Sequence, residues 1–163
     1  NEALRMAAQN GHLEVLRFLT DKFELTTEDV RAEDNEALRM AAYNGHVEVL
    51  RFLTDTFEFT NADARYENNW ALRWAAENGH LEVLRFLTDK FEYTIEDARA
   101  DNNWALIGAA ENGHVEVLRF LTDKFELTTE DVKAEDNEAL RMAARNGHVE
   151  VVEFFEQKWG LTL

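Results

Sequence analysis

Cysteine and proline are both absent from the 163 residues. The first absence excludes a disulfide framework and any zinc site built on thiolates. The second leaves nothing that enforces a sharp break between helices. Glycine is scarce: five of the seven stand in Gly-His pairs, and the other two are Gly108 and Gly160. No glycine-rich loop is therefore available to cradle a phosphate. No apolar run approaches the roughly 18 residues of a membrane span, and no signal peptide is seen. A soluble, intracellular protein away from the membrane is the expectation. Basic side chains are in short supply, 17 against 33 acidic ones, for a net charge of −16. Phosphate backbones attract the opposite sign, so no nucleic acid partner is expected and basic partners are favoured.

A 34-residue period fills the chain, starting at Asn1, Asn35, Asn69, Asn103 and Asn137. It divides one domain, 1–163, into copies 1–34, 35–68, 69–102, 103–136 and 137–163, the last shortened. Fixed periods of this size mark a solenoid, whose units bury their apolar faces only against their neighbours. Within a copy two helices are predicted. The first covers Glu2 to Asn10, with Asn1 as N-cap and Gly11 as its stop. Its Ala3, Leu4, Ala7 and Ala8 recur in all five copies and make one small-residue face for close helix approach. The second covers Leu13 to Lys22, with Val15, Leu16, Phe18 and Leu19 as core and Phe23 closing it. Thr26-x-x-Asp29 is a capping-box signal, so a short helical turn is expected in the connection. The last copy carries Val152, Glu153, Phe155, Glu156, Gln157 and Trp159 as departures. Its Glu153, Glu156 and Gln157 suit the outer face of a C-terminal cap. The first copy has no such change, which leaves end-to-end association open beside the expected monomer.

The stretch "ALRMAAQNGHLEVLRFL" at 3–19 resembles the ankyrin repeat pattern T-P-L-H-x-A-A-x-x-G-H-x-E-V-V-x-x-L. Leu4, Ala7, Ala8, Gly11, His12, Glu14, Val15 and Leu19 fall on family positions, as do their counterparts in later copies. The resemblance covers the whole chain and implies an all-α, right-handed α-solenoid of five helix-turn-helix repeats. Glu2, Ala3 and Arg5 replace the family's Thr-Pro and His, and "FELTTEDV" replaces its glycine-led loop. Short helical turns are therefore expected in place of β-hairpin fingers. The resemblance also implies that the first helices line a concave, partner-binding side.

Catalytic and metal chemistry find no footing. His12, His46, His80, His114 and His148 occupy one repeat position. Neighbouring helices lie about 8–10 Å apart, so these imidazoles form a ladder, whereas zinc ligands converge to about 2 Å from one ion. Paired carboxylates for acid–base work need unlike environments, which a repeat does not supply. No enzyme activity, cofactor or metal is expected.

Comparison of the copies exposes a variable face. Positions 2, 5, 6 and 9 change, and their spacing puts them on one side of the first helix, opposite the alanines. Position 2 reads Glu2, Glu36, Trp70, Trp104, Glu138; position 5 reads Arg5, Arg39, Arg73, Ile107, Arg141; position 6 reads Met6, Met40, Trp74, Gly108, Met142; position 9 reads Gln9, Tyr43, Glu77, Glu111, Arg145. The candidate partner-binding residues are Tyr43, Trp70, Trp74, Glu77, Trp104, Ile107, Gly108 and Glu111, centred on copies three and four. Glycine inside a helix costs about 1 kcal/mol relative to alanine, so Gly108 wants a reason. It either opens a pocket walled by tryptophans for a partner's anchor residue or accommodates the bulk of Trp74 as packing. Glu77 and Glu111 suit a Lys or Arg of the ligand. Changes in the connections, at Phe59, Asn61, Tyr66, Tyr93 and Ile95, read as packing or loop surface rather than contacts.

Two functions are consistent with these residues. One is non-catalytic binding of a protein or peptide, basic in character, along the first-helix face. The other is a structural scaffold with no ligand. "ELTTEDVRAEDNEALRMAA" and "ELTTEDVKAEDNEALRMAA" differ at one residue, as recent duplication or assembly from a consensus would produce.

Overall fold

The computed structural model describes residues 2–162. Among them are twelve helices and no strand: α1 (Glu2–Gln9), α2 (Leu13–Phe23), α3 (Thr27–Tyr43), α4 (Val47–Thr56), α5 (Asn61–Ala64), α6 (Tyr66–Glu77), α7 (Leu81–Lys90), α8 (Ile95–Glu111), α9 (Val115–Lys124), α10 (Thr129–Val132), α11 (Ala134–Arg145) and α12 (Val149–Trp159). The first helices are α1 and the C-terminal parts of α3, α6, α8 and α11. They pack side by side through the recurrent alanines: Ala37, Ala41, Ala42, Ala71, Ala75, Ala76, Ala105, Ala109 and Ala110 are all buried. Small side chains let the backbones approach, and the leucine between them fills the seam. Leu38, Leu72, Leu106 and Leu140 are fully buried, each stabilising the stack by about 1.5–3 kcal/mol. The second helices α2, α4, α7, α9 and α12 form the other layer.

Of the expected core residues two are exposed and a third, Leu19, is only partly buried. Val15 is 45% and Phe18 61% exposed, and Phe23, within α2, is 63% exposed. The counterparts of Val15 (Val49, Val83, Val117) and of Phe23 (Phe57, Phe91, Phe125) are buried, and Phe52 and Phe120, matching Phe18, are partly buried. Positions 15 and 18 face the preceding copy: Arg17 lies over the Phe52 ring, 4.9 Å from its centre. Among the described residues nothing precedes α1 to cover the same face of the first copy. Leu16 is buried as expected. At the other end Glu153, Glu156 and Gln157 are exposed, and Phe154, Phe155 and Trp159 cluster beneath them.

Each first helix ends at a glycine with φ between +72 and +79°. That backbone frees the space beside the glycine for the next copy's histidine. A side chain built on Gly79 would place its Cβ 2.7 Å from His114 Nδ1, and the same holds at Gly11 for His46 and at Gly45 for His80. The histidine then bonds the end of the preceding first helix. Nε2 lies 2.9 Å from the Gln9 carbonyl at His46, 2.9 Å from that of Tyr43 at His80 and 2.8 Å from that of Glu111 at His148. Burial holds the His80 and His114 imidazoles below their ordinary value.

The connections carry helical turns, as the capping signal suggests. Thr26 and Asp29, Thr60 and Asp63, Thr94 and Asp97, and Thr128 and Asp131 form reciprocal capping boxes. The residues between each capped turn and the next first helix depart from the expected N-cap. Asn1 lies outside the described residues, and none of its counterparts caps. Glu33, Asp34 and Asn35 take φ of 55, 60 and 60°, and the triplets ending at Asn69, Asn103 and Asn137 do likewise. Left-handed backbone costs L-residues roughly 1–2 kcal/mol each, least for Asn and Asp, and the triplets are rich in both. The asparagine is turned inward instead: Asn35 Nδ2 donates to Asp63 Oδ1 at 3.3 Å, and Asn69 and Asn103 reach the carbonyls of Asp97 and Asp131 at 3.4 Å.

Arginines tie successive turns together. Arg65 grips Asp97 with two bonds of 2.9 and 3.0 Å, Arg99 grips Asp131 with bonds of 2.6 and 3.2 Å, and Arg31 bonds Asp63 at 2.9 Å. Burial disfavours the Asp63 and Asp97 carboxylates, but hydrogen bonds from the threonine cap and the arginine outweigh it and hold both below the ordinary carboxylate value. At Asp131 the bond from Arg99 is the leading cause of the same depression. Phe59 and Tyr93 serve these arginines, with Arg31 and Arg65 lying 5.8 and 5.4 Å over their rings.

Two stability measurements check these contacts. Gly147→Ala, with φ +78° and no neighbour within 4 Å, should cost about 1–2 kcal/mol from left-handed backbone alone. Gly79→Ala should cost more, because the His114 ring must move; equal losses in urea unfolding would show that the histidine plays no part. The second concerns pH. Neutral His80 and His114 are favoured by the fold, so the unfolded chain takes up protons first, and stability falls as pH drops below the ordinary imidazole value of 6.5. The depressed carboxylates of Asp63, Asp97 and Asp131 contribute stability above their ordinary value of 3.8 and lose it at lower pH. Urea midpoints from pH 8 to 3 should show two falls, and His80→Gln with His114→Gln should flatten only the upper one.

Candidate partner-binding face

Positions 2, 5, 6 and 9 project from the first helices into one continuous strip. Its middle is aromatic. Tyr43 stands 5.9 Å from Trp70 and 5.4 Å from Trp74, Trp70 and Trp74 are 5.5 Å apart, and Trp104 follows at 6.3 Å from Trp74, all as ring-centre distances. Trp70 and Trp74 are half-buried in this row, while Trp104 is 41% exposed. Arginines of the preceding copies lie over two of the rings, Arg39 at 5.2 Å from Trp70 and Arg73 at 5.6 Å from Trp104.

Beyond Trp104 the strip opens into a cavity of about 360 Å³. Trp104, Ile107 and Gly108 of copy four line it, with Glu77 of copy three, Glu138 and Met142 of copy five, and Asp101, Asn102 and Glu135 from the two bracketing turns. Glu111 completes the wall. Five of these residues are acidic and none is basic. Of the expected binding residues, Glu77, Trp104, Ile107, Gly108 and Glu111 come together here. Tyr43, Trp70 and Trp74 do not; they form the adjoining aromatic row. The cavity thus has one tryptophan in its wall rather than several.

The space left by Gly108 is taken by Glu77, not by Trp74. A Cβ at Gly108 would meet Glu77 Cβ at 3.1 Å and Cγ at 3.2 Å. Crossing that bare backbone brings Glu77 Oε2 to 2.7 Å from the Trp104 indole N–H, which donates to it. Gly108 therefore fixes Trp104 through the carboxylate.

Position 5 explains the acidity. Its arginine normally binds a carboxylate nearby on the strip: Arg5 pairs with Glu36, Arg39 with Glu67 at 3.2 Å, and Arg73 with Asp101. It also donates to the first carbonyl of the left-handed turn before it, Arg73 to Glu67 at 2.9 Å and Arg39 to Glu33 at 3.4 Å. In copy four this residue is Ile107. The residues matching Glu67 and Glu36 are Glu135 and Glu138, and neither carboxylate makes a hydrogen bond or ion pair among the described residues. Both escape a reading of the variable columns alone. The signal that finds them is the pairing of position 5 with positions 33 and 2, which the period contains but does not announce.

A model of ankyrin repeats, in three copies, matches residues 4–99 and again 91–160. The chain belongs to the ankyrin repeat family. No curated protein sequence matches it. Among solved structures, a chain in the crystal structure of the yeast ribosomal protein Rps3 in complex with its chaperone Yar1 superposes with a TM-score of 0.66. It is 26% identical and covers 79% of this chain and 95% of its own. In this ankyrin stack the capped helical turn and left-handed triplet replace the β-hairpin finger. The Gly-His pair keeps its place between the two helices of each repeat. No helix among the described residues is long and apolar enough to cross a membrane.

The Glu77 path is testable by NMR of the indole N–H groups. Gly108→Met denies Glu77 its route, so the Trp104 resonance should move upfield, and Glu77→Ala should move it likewise. An unmoved resonance in Gly108→Met would mean that the glycine does not hold the carboxylate.

Proposed function

We propose that this ankyrin chain is a non-catalytic module that binds a protein or peptide on the face of its first helices, centred on copies three and four. Trp104 and Ile107 offer apolar anchorage, Glu77 and Glu111 offer charge, and the row of Tyr43, Trp70 and Trp74 extends the surface. The observation that carries this reading is the cavity beside Trp104, where copies three and four depart from the repeat's own pattern and copies three to five meet. A rigid stack loses little entropy on association, and aromatic anchors in pockets dominate binding energies. The relative of known structure was crystallised in a complex between a ribosomal protein and its chaperone, which fits a partner-binding role. A ligand-free scaffold is the second reading, favoured by the mutual packing of Trp70, Trp74 and Tyr43.

Selection of a displayed random-peptide library separates the two. The proposal expects enriched peptides whose affinity drops about tenfold or more with Trp104→Ala, as loss of a hot spot does, and is kept by Arg119→Ala on α9. Peptides insensitive to Trp104, or none at all, would favour the scaffold.

A further inference from the structure

The cavity also indicates what it takes. Three arginines of the stack, Arg5, Arg39 and Arg73, each bind one carboxylate, Glu36, Glu67 and Asp101 in turn. Two of them also lie over a tryptophan. Beside copy four both carboxylate positions are filled, by Glu135 and Glu138, and Ile107 stands where the arginine would be. The cavity of about 360 Å³ stands at that spot. Elsewhere in the same molecule, equivalent carboxylates bind one chemical group, a guanidinium. Resting on the peptide-binding reading above, we propose that this cavity receives an arginine side chain of a basic partner, which takes the place of the arginine that copy four lacks.

Three observations favour this ligand over others. The walls are acidic without a single basic residue, in a chain of net charge −16, so the cavity attracts cations. No three of the described carboxylates converge as metal ligands, which disfavours a metal ion. Trp104 and Met142 supply apolar surface beside the acids. A planar guanidinium uses such a mixed wall better than a strongly hydrated ammonium, because it bonds carboxylates in pairs and stacks on rings.

Calorimetric titration with hexa-arginine and hexa-lysine peptides at equal ionic strength tests the assignment. Hexa-arginine should bind about fivefold or more tightly than hexa-lysine. Ile107→Arg, which returns the repeat's own guanidinium, should weaken hexa-arginine about tenfold. Glu135→Gln with Glu138→Gln should do the same, whereas Glu150→Gln with Glu153→Gln, an equal charge change at exposed sites on α12, should have little effect. Should Ile107→Arg fail to fold, the two-residue glutamine variant decides, since Glu135 is exposed and Glu138 half-buried. Equal affinity for the two peptides, or binding indifferent to both cavity variants, would overturn the arginine assignment. Calcium displacing hexa-arginine from the cavity at equal charge concentration would overturn it as well. Library peptides that bind through Trp104 but lack arginine preference would sink this inference alone; absence of any Trp104-dependent peptide would remove the peptide-binding reading with it.

Discussion

Every step from one repeat to the next passes through a contact between a glycine and a histidine. Gly11, Gly45, Gly79 and Gly113 adopt a backbone that only glycine takes without penalty, and the next copy's imidazole lies where a side chain would stand. The ring also bonds a carbonyl at the end of the preceding first helix. One contact therefore sets both how close two repeats come and how far one slides along the other. All the other columns inherit that register, including the alanine seam and the alignment of each arginine with the turn beside it.

On that register two rows of arginine are built, and together they hold an unfavourable backbone. Three successive left-handed residues are expensive for L-amino acids, and no local signal requires them. Position-5 arginines bond the first carbonyl of the triplet, while the asparagine at its end is buried against the next copy's capping box. The position-31 arginines close the other side on Asp63, Asp97 and Asp131. Partly exposed ion pairs each contribute little; their effect here is geometric, since each joins two turns that neither repeat would hold alone.

Much of the fold was legible because it rests on periodicity. The helix pairs, the alanine face and the capped turns are local patterns repeated five times. The left-handed triplet was not legible: "EDN" suits a cap as well as it suits left-handed backbone, and the choice is made by residues about 30 positions later. Val15 and Phe18 failed as core for a related reason, since helical spacing identifies an apolar face but not whether a neighbour covers it. At the site, comparison of the copies isolated Ile107 and Gly108 as unusual. What fills the space at Gly108 depends on Glu77, in the preceding repeat, whose side chain could as readily have pointed outward.

The position of the irregularity reflects how a solenoid distributes stability. Each repeat contacts only its neighbours, so removing the arginine of copy four loosens contacts with copies three and five and leaves the rest intact. Asp101 retains Arg73, and the second arginine row still crosses the junction through Arg99 and Asp131. The turn between copies four and five is thus held from one side, which allows the other side to lose its cation. An unmatched pair of carboxylates in a site kept rigid by its neighbours is a preorganised acceptor, because the cost of gathering the like charges has been met by the fold rather than by the ligand. Gly108 fits the same logic: a glycine that weakens one helix by about 1 kcal/mol lets Glu77 cross it, and the bond from Trp104 then fixes the aromatic wall beside the cavity.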